Sequence, residues 1–339
     1  MKALKYILLL LLVLIIGFSI YVAVQPNEFK FDRSKTIKAP VSLIFNKVND
    51  FKKWPDFSPW IEQEPDAQLT FGDVTVGKGG NYSWLGEILG EGSMKTIATE
   101  DNKSITQEIN FIKPFEAQSN INWNFEESPE GTKVTWAMDG NQDFVTKLVT
   151  VFMGSIESQT GPDFERGLFK LDSIVQEDMK RYDVNINGVT EYGGGFYIYK
   201  TTNANSKNIS AKMGENYGFI MQFMGQNGLK QSGMPLTVYN EMSENGVIMS
   251  NGIPVNEKVE IPEGADVALG FIPNMKVIKT TLTGNYTNLR KAYEAAYKHL
   301  AENKLEPAEH KPFEIYVTDP GNYPNPADWK TEIYIPIKE

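Results

Sequence analysis

The sequence predicts an α+β protein in which two domains follow one N-terminal transmembrane helix. Three observations carry this prediction: an uncharged apolar run at residues 6–24, a series of short β-rich segments that ends in a long amphipathic helix, and an internal strand, helix, strand, strand repeat. At 339 residues the chain also exceeds one ordinary hydrophobic core,. We therefore expect an anchor over residues 1–27, a first domain over 28–185 and a second over 186–339.

The composition excludes several classes of function. Hydrophobic residues at 41% and aromatic residues at 12% indicate a folded protein, and a net charge of -10 argues against a nucleic-acid partner, because phosphate binding needs clustered Lys and Arg. The chain has no cysteine and only two histidines, His299 and His310, so disulfides, thiolate nucleophiles and multi-histidine metal sites are excluded. We expect neither a metal nor a cofactor.

The apolar run at residues 6–24 predicts a membrane helix. It follows Lys2 and Lys5 and carries no charge, and about 20 apolar residues are enough to cross the hydrocarbon core of a bilayer. The apolar core of a cleaved signal peptide is shorter and ends in small residues, whereas this run exits through SIYVAVQPNEF. The sequence therefore predicts an uncleaved single-pass anchor, with a cytoplasmic N-terminus and the bulk of the chain outside the cytoplasm.

Residues after the anchor predict an antiparallel sheet closed by a long helix. The segment FKFDRSKTIKAP alternates like a strand, and turn clusters separate short β-rich runs between Leu69 and Phe144,. One face of the following helix is predicted from apolar residues at helical spacing: Phe164, Leu168, Leu171, Val175, Met179 and Tyr182.

This order of elements resembles the helix-grip fold of the START and polyketide-cyclase-like superfamily, often called SRPBCC. The resemblance lies in IKAPVSLIFNKVNDFKKWPDFSPW and VGKGGNYSWLGEILGEGSMKTIA and covers about residues 30–183. It implies a curved sheet that grips the last helix around an apolar cavity for a small or lipid-like ligand. Five tryptophans either line such a cavity or fill an ordinary core: Trp54, Trp60, Trp84, Trp123 and Trp136.

The C-terminal half contains an internal repeat. One unit runs from GFYIYKTT to SNGIPV, and the other runs from NMKVIKTTLTG to EIYIPI. Asn227 and Leu229 align with Asn303 and Leu305, and GIPV aligns with YIPI. Two such units predict one sheet with both helices on one face.

The second half resembles the GyrI-like, or effector-binding, domain, which is similar to the ligand-sensing half of MerR- and AraC-type multidrug regulators. The residues that carry the resemblance are TGNYTNLRKAYEAAYKHL, PFEIYVTDP and WKTEIYIPI. Those regulators carry a helix-turn-helix domain, whereas this chain has an anchor and an SRPBCC-like domain in its place. Transcriptional regulation is therefore not the expected function.

The tripeptide EIY occurs twice, at 314–316 and at 332–334. Strands alternate their faces, so if the helices cover the Phe and Ile side chains, both Glu–Tyr pairs line the opposite groove. The repeat places Thr237 and Ser250 where the second unit has Glu314 and Glu332, so the acidity belongs to one half only.

The family resemblance implies that Glu332 is the acidic residue at the bottom of the effector pocket. A partly buried carboxylate among aromatic rings suits an organic cation. The expected ligand-binding residues are Glu332, Glu314, Tyr316, Tyr334, Tyr239, Tyr286 and Trp329.

The predicted function is the binding of a small amphipathic or cationic molecule. One alternative is implied by the same resemblance, because some members of the effector-binding superfamily are similar to hydrolases of strained, cyclopropane-type electrophiles. In such a hydrolase, Glu332 would be the general base and Tyr316 the acid. A second alternative is a structural or partner-binding envelope protein. The residues alone do not separate a binding carboxylate from a catalytic one.

Overall fold

The chain divides into two compact units, Met1–Glu177 and Asp178–Glu339. The computed structural model describes residues 2–205, 208–243 and 246–338. The predicted domain boundary after residue 185 falls inside the first strand of the second unit, β8 (Tyr182–Tyr192).

Helix α1, Lys2–Ala23, opens the first unit, and its segment Leu4–Ala23 is long and apolar enough to cross a membrane. A signal sequence near the N-terminus can pass the same test of length and apolar composition, so the uncleaved anchor stays a prediction. The side chain of Lys2, on which the predicted orientation partly rests, lies outside the described part of the chain.

The rest of the first unit is a seven-stranded sheet with a long C-terminal helix. Its helices are α2 (Val41–Val48), α3 (Trp54–Phe57), α4 (Pro59–Gln63), α5 (Phe144–Met153) and α6 (Ile156–Lys180). Its strands are β1 (Glu28–Ile37), β2 (Gln68–Phe71), β3 (Asn81–Leu85), β4 (Glu91–Glu100), β5 (Ser104–Lys113), β6 (Ala117–Ser128) and β7 (Gly131–Asn141). All neighbours in the order β1-β7-β6-β5-β4-β3-β2 are antiparallel, which confirms the predicted sheet and helix.

Tryptophans fill the core of the first unit. Trp136 stacks between Trp123 at 4.3 Å and Phe164 of α6 at 4.1 Å between ring centroids, and Trp54 meets Trp136 edge-on at 6.1 Å. Trp54 and Trp136 are 0% exposed, so no water-sized space adjoins them. The rings pack on one another. The structure therefore favours the interpretation that these three tryptophans fill a core over the interpretation that they line a cavity.

Helix α6 buries Phe164, Leu168, Leu171 and Val175, as the helical spacing predicts, but it ends at Lys180. The prediction that Tyr182 continues this helix face is wrong. Tyr182 is the first residue of β8 and pairs with Gly284 of the second sheet, because strand pairing takes over where the helix ends.

The second unit is an eight-stranded sheet that carries two helices. After β8 its strands are β9 (Gly195–Ala204), β10 (Leu236–Ser243), β11 (Gly246–Val255), β12 (Ala268–Ile272), β13 (Met275–Gly284), β14 (Phe313–Tyr316) and β15 (Lys330–Pro336), and its helices are α7 (Ile209–Gln226) and α8 (Leu289–Glu302). The order is β12-β9-β11-β10-β14-β15-β13-β8.

The internal repeat is confirmed as β9-α7-β10-β11 and β13-α8-β14-β15. The two halves join at the antiparallel pair β10 and β14, where Thr237 lies directly opposite Glu314. Both helices also end alike: the amide of Leu229 bonds the carbonyl of Met224 at 2.9 Å, and that of Leu305 bonds the carbonyl of Leu300 at 2.9 Å,. The aligned residues therefore occupy equivalent positions in the two halves.

Candidate functional site

The two EIY segments face opposite sides of the second sheet. Across β14 and β15, Glu314 pairs with Ile333, whereas Phe313 pairs with Tyr334. Residues paired across antiparallel strands project to the same face. Glu314 and Tyr316 therefore share the face of Ile333, which packs with Ala292 and Ala296 of α8. The expectation that both Glu–Tyr pairs line one groove is wrong. The glutamate of each EIY segment pairs with the isoleucine of the other, so the two glutamates project to opposite faces.

Glu332 and Tyr334 lie on the face away from α8. The carboxylate of Glu332 pairs with the ammonium of Lys279 at 2.7 Å and accepts a hydrogen bond from the hydroxyl of Tyr334 at 2.5 Å. The ring of Tyr334 stacks on Phe313 with a centroid distance of 5.0 Å. Glu332 thus already has a cationic partner from the neighbouring strand β13.

A cavity of about 2200 Å³ opens between α7, α8 and the sheet. Five predicted ligand-binding residues line it: Glu314, Tyr316, Tyr239, Tyr286 and Trp329. Glu332 and Tyr334 are not among its lining residues. We call this space the Glu314 cavity, after the acidic residue at its floor.

Glu314 is a buried carboxylate held by tyrosine hydroxyls. It is 1% exposed, and its Oε2 accepts hydrogen bonds from the hydroxyls of Tyr316 at 2.7 Å and Tyr239 at 3.2 Å. Burial raises the pKa of Glu314 to about 7, while the neighbouring hydroxyls oppose this rise,. The carboxyl group can therefore change its charge near neutral pH.

The tyrosines around Glu314 remain protonated hydrogen-bond donors. Burial, reinforced by the negative charge of Glu314, raises the pKa of Tyr239, Tyr293 and Tyr316 well above the usual value. The hydroxyl of Tyr293 also acts on the carboxyl group and lowers the pKa of Glu314. Yet it is buried without a well-formed hydrogen bond to any described residue. One donor beside the acid is thus left for a ligand or a water molecule.

Sequence reasoning missed Tyr217 and Tyr293, one on each helix, although both line the cavity. The repeat alignment contained the signal, because the two tyrosines lie at the same distance before the equivalent helix-ending residues Asn227 and Asn303. Their partners differ. The hydroxyl of Tyr217 donates to the carbonyl oxygen of Leu236 at 2.8 Å and lies 2.8 Å from Oγ1 of Thr237.

A closed amide network occupies the first half where the second half has its acid. Nδ2 of Asn216 donates to Oδ1 of Asn251 at 2.8 Å, and Nδ2 of Asn251 donates to Oγ1 of Thr237 at 2.8 Å. These three side chains are buried, and their hydrogen bonds are made internally. None of the three is among the described residues that line the Glu314 cavity. The first half therefore buries a self-contained amide network at the position where the second half presents an acid to the cavity.

Aromatic rings and methionines complete the walls. Tyr286 meets Tyr316 edge-on at 5.5 Å and Trp329 at 4.7 Å between ring centroids. Met213, Met221 and Met234 also line the cavity, and methionine adapts readily to ligands of different shape. The π-faces of the aromatic rings are negative and attract cations.

The rim of the cavity is charged but exposed. Arg290 pairs with Glu294 at 2.8 Å at the rim, where Glu241, Lys311 and Asp319 also lie. Among the described lining residues, Glu314 is the only buried carboxylate. Since water screens exposed charges and buried ones are screened much less, Glu314 dominates the charge that a bound ligand meets.

The fold and this cavity define a two-domain protein of the small-molecule-binding class. Residues 37–169 match the family model described as "Polyketide cyclase / dehydrase and lipid transport", and residues 196–338 match the "GyrI-like small molecule binding domain". The chain belongs to the polyketide cyclase (SRPBCC) family through its first unit and carries a GyrI-like domain in its second. The predicted families and their order are confirmed.

Several known proteins are similar to parts of this chain. A Streptomyces cyaneus protein described as a polyketide cyclase is 30% identical over 113 residues, which make up 31% of this chain and 67% of that protein. The crystal structure of the EcmrR C-terminal domain is 20% identical and covers 47% of this chain and 98% of its own, with a TM-score of 0.41. Protein MLL2253 of Mesorhizobium loti is 14% identical and covers 44% of this chain and 98% of its own, with a TM-score of 0.33.

Proposed function

We propose that this protein binds an amphipathic organic cation in the Glu314 cavity and holds the binding domain outside the cytoplasm through α1. The proposal that the ligand is a cation rests on the buried carboxylate of Glu314, which lies at the floor of an aromatic cavity. Burying an ionised carboxylate without a cationic partner is costly. A cation with apolar substituents would supply that partner and fill the aromatic walls at the same time.

The structure supports the second unit as the ligand-binding domain. In the first unit, Trp54, Trp123 and Trp136 are packed on each other in the core. In the second, an open cavity lies between the helices and the sheet, and Glu314 and the rings of Tyr286 and Trp329 are among the residues that line it. The proposal therefore replaces Glu332 by Glu314 as the acidic residue that meets the ligand.

The full chain in detergent micelles should bind tetraphenylphosphonium saturably and tetraphenylborate at least about tenfold more weakly, a difference of about 1.4 kcal/mol. The two ions have nearly the same shape and opposite charge, so the comparison isolates electrostatics. Isothermal titration against protein-containing and empty micelles measures both affinities. Equal affinity for the two ions would contradict a cation site.

The hydrolase alternative has a specific structural basis, but not with the predicted residues. Glu332 and Tyr316 lie on opposite faces of the sheet, whereas Tyr316 donates directly to Glu314 at 2.7 Å. A carboxyl group whose pKa is about 7 suits a general base at neutral pH. Turnover of a cyclopropane-containing electrophile that requires Glu314 would establish catalysis, and recovery of every such compound intact would exclude it.

The proposed topology places both units on the outer side of the membrane. The chain contains no cysteine, so one cysteine introduced at the exposed position Glu309 is the sole target for a maleimide. In intact spheroplasts, a membrane-impermeant maleimide should label Glu309→Cys as fully as it does after lysis. Labelling only after lysis would reverse the orientation.

A further inference from the structure

Helix α5 runs antiparallel along the C-terminal end of α1. The ring of Phe152 lies 5.6 Å from that of Phe18, between centroids, while the ammonium of Lys147 donates to the carbonyl oxygen of Ala23 at 3.2 Å. The later residue of α5 thus contacts the earlier residue of α1. The two helices form an antiparallel pair, in which α5 runs from the end of the apolar segment Leu4–Ala23 back toward its middle.

The contacts determine how deep α5 reaches. Phe18 precedes the end of the apolar segment at Ala23 by five residues, and a helix rises about 1.5 Å per residue, so Phe18 lies roughly 8 Å inside that end. Phe152, at the level of Phe18, has the same depth. If α1 spans a bilayer, the C-terminal half of α5 cannot remain in water.

The surface of α5 suits that depth. Phe152 is 73% exposed, and Phe144, Val145 and Met153 are also exposed. The sole charged residue of the helix is Lys147, which is buried and donates its second hydrogen bond to Oδ1 of Asn27 at 2.5 Å. The chain therefore leaves apolar side chains on the outer surface of α5 and directs its charge toward the end of α1.

Several polar groups at the two ends of α5 have partners within the chain. The carboxylate of Asp143 accepts from the amide of Thr146 at 2.7 Å at the first turn. At the last turn the amide of Gly154 donates to the carbonyl of Thr150 at 3.0 Å, and the carbonyl of Gly154 accepts from Nε2 of Gln159 at 2.8 Å. Internal pairing of this kind is what an environment poor in water requires.

We propose that α5 is a second membrane element, which inserts its C-terminal half among the lipid acyl chains of the leaflet that contains the C-terminal end of α1. The inference rests on the membrane insertion of α1 proposed above. Lipid is the expected occupant because the exposed surface of α5 continues the exposed apolar surface of α1. The insertion would hold the first unit against the bilayer rather than leave it on a flexible tether.

Environment-sensitive labels at single cysteines test this inference in the full chain. The nitrobenzoxadiazole fluorophore is attached to Phe152→Cys, to Ile20→Cys on α1 as the anchor position, and to Phe169→Cys on α6 as the matched control. These residues are 73%, 58% and 55% exposed, so none of the substitutions removes a core side chain. Each protein is reconstituted in phosphatidylcholine vesicles with or without spin-labelled acyl chains, which quench the fluorophore on contact.

The label at Phe152 should lose a several-fold larger fraction of its emission to the spin-labelled lipid than the label at Phe169, and a fraction similar to that at Ile20. Quenching at Ile20 but not at Phe152 would overturn the insertion of α5 and leave the anchor intact. Absence of quenching at Ile20 would overturn the anchor and, with it, this inference. A label at Phe152 shielded from water but not quenched would indicate contact between protein copies and overturn the lipid assignment.

Discussion

Replacement of Glu314 by glutamine is expected to weaken the binding of tetraphenylphosphonium by at least about tenfold, or about 1.4 kcal/mol. Glutamine has the shape of glutamate and keeps an oxygen to accept from Tyr316 and Tyr239, so the packing of the cavity is conserved and the negative charge is lost. A negative charge attracts a bound cation strongly at a buried site, so the loss of the carboxylate should weaken binding. Isothermal titration of the full chain in micelles measures the difference.

The matched control is Glu332→Gln. This carboxylate lies on the same sheet but pairs with Lys279 on the opposite face, so its replacement should leave the affinity unchanged. Loss of binding in Glu332→Gln with unchanged binding in Glu314→Gln would restore the site predicted from the sequence. Unchanged binding in both variants would remove both carboxylates from the site.

The pH profile of binding reports on the same carboxyl group. Because its pKa in the ligand-free protein is about 7, the group must release a proton before it pairs with a cation at lower pH. The affinity should therefore fall by up to about tenfold for each pH unit below 7 in the native protein. In Glu314→Gln the profile should be flat over this range, and a native-like slope in that variant would assign the titration to another group.

The same group links stability to pH. Its pKa rises from 4.5 in the unfolded reference to about 7 in the folded protein, so the native state binds the proton more tightly. Stability from this group is fully present below about pH 4.5 and is lost as the pH rises through 7, by roughly 3 kcal/mol in total. Glu314→Gln should abolish this loss, as denaturant unfolding at pH 5 and pH 8 would show.

Replacement of Trp136 by alanine is expected to destabilise the first unit by about 4 kcal/mol. The indole is fully buried and stacks on both Trp123 and Phe164. It also lies so close to α6 that a Cβ on Gly167 would approach its Cζ3 to 2.6 Å. Alanine would leave a cavity that the sheet and helix cannot close. Urea unfolding followed by circular dichroism measures the change.

Trp136→Phe serves as the control for that substitution. Phenylalanine keeps a ring in the stack and removes the indole N–H, which is buried without a hydrogen-bond partner among the described residues. Its cost should be clearly smaller than that of alanine. A near-neutral Trp136→Ala would show instead that the rings border a space which tolerates their loss.

Much of the second unit follows from its sequence. The repeat predicted two equivalent halves, and Thr237 does lie opposite Glu314 at the junction of the halves. The buried face of α8 was also predicted from the sequence, since Ala292, Ala296 and Leu300 pack in the core as their spacing predicts. Such patterns are local, and a helix or a repeat therefore shows them without reference to the rest of the fold.

The position of α5 beside α1 is a different kind of feature. A short apolar helix at Phe144–Met153 does not reveal in its sequence that it lies along Phe18. Likewise, nothing local to Tyr293 indicates that its hydroxyl lies beside Glu314 without a well-formed hydrogen bond to any described residue. Both features depend on contacts between residues that are distant along the chain.

The sequence by itself determined the order of elements, the two families, the internal repeat and the presence of a carboxylate beside a tyrosine in each EIY segment. Only the tertiary structure decided which carboxylate enters the cavity. Alternation along a strand separates two faces, but the partner strand decides which face meets the helices. The pairing of Glu314 with Ile333 places the first EIY under α8 and the second on the other side.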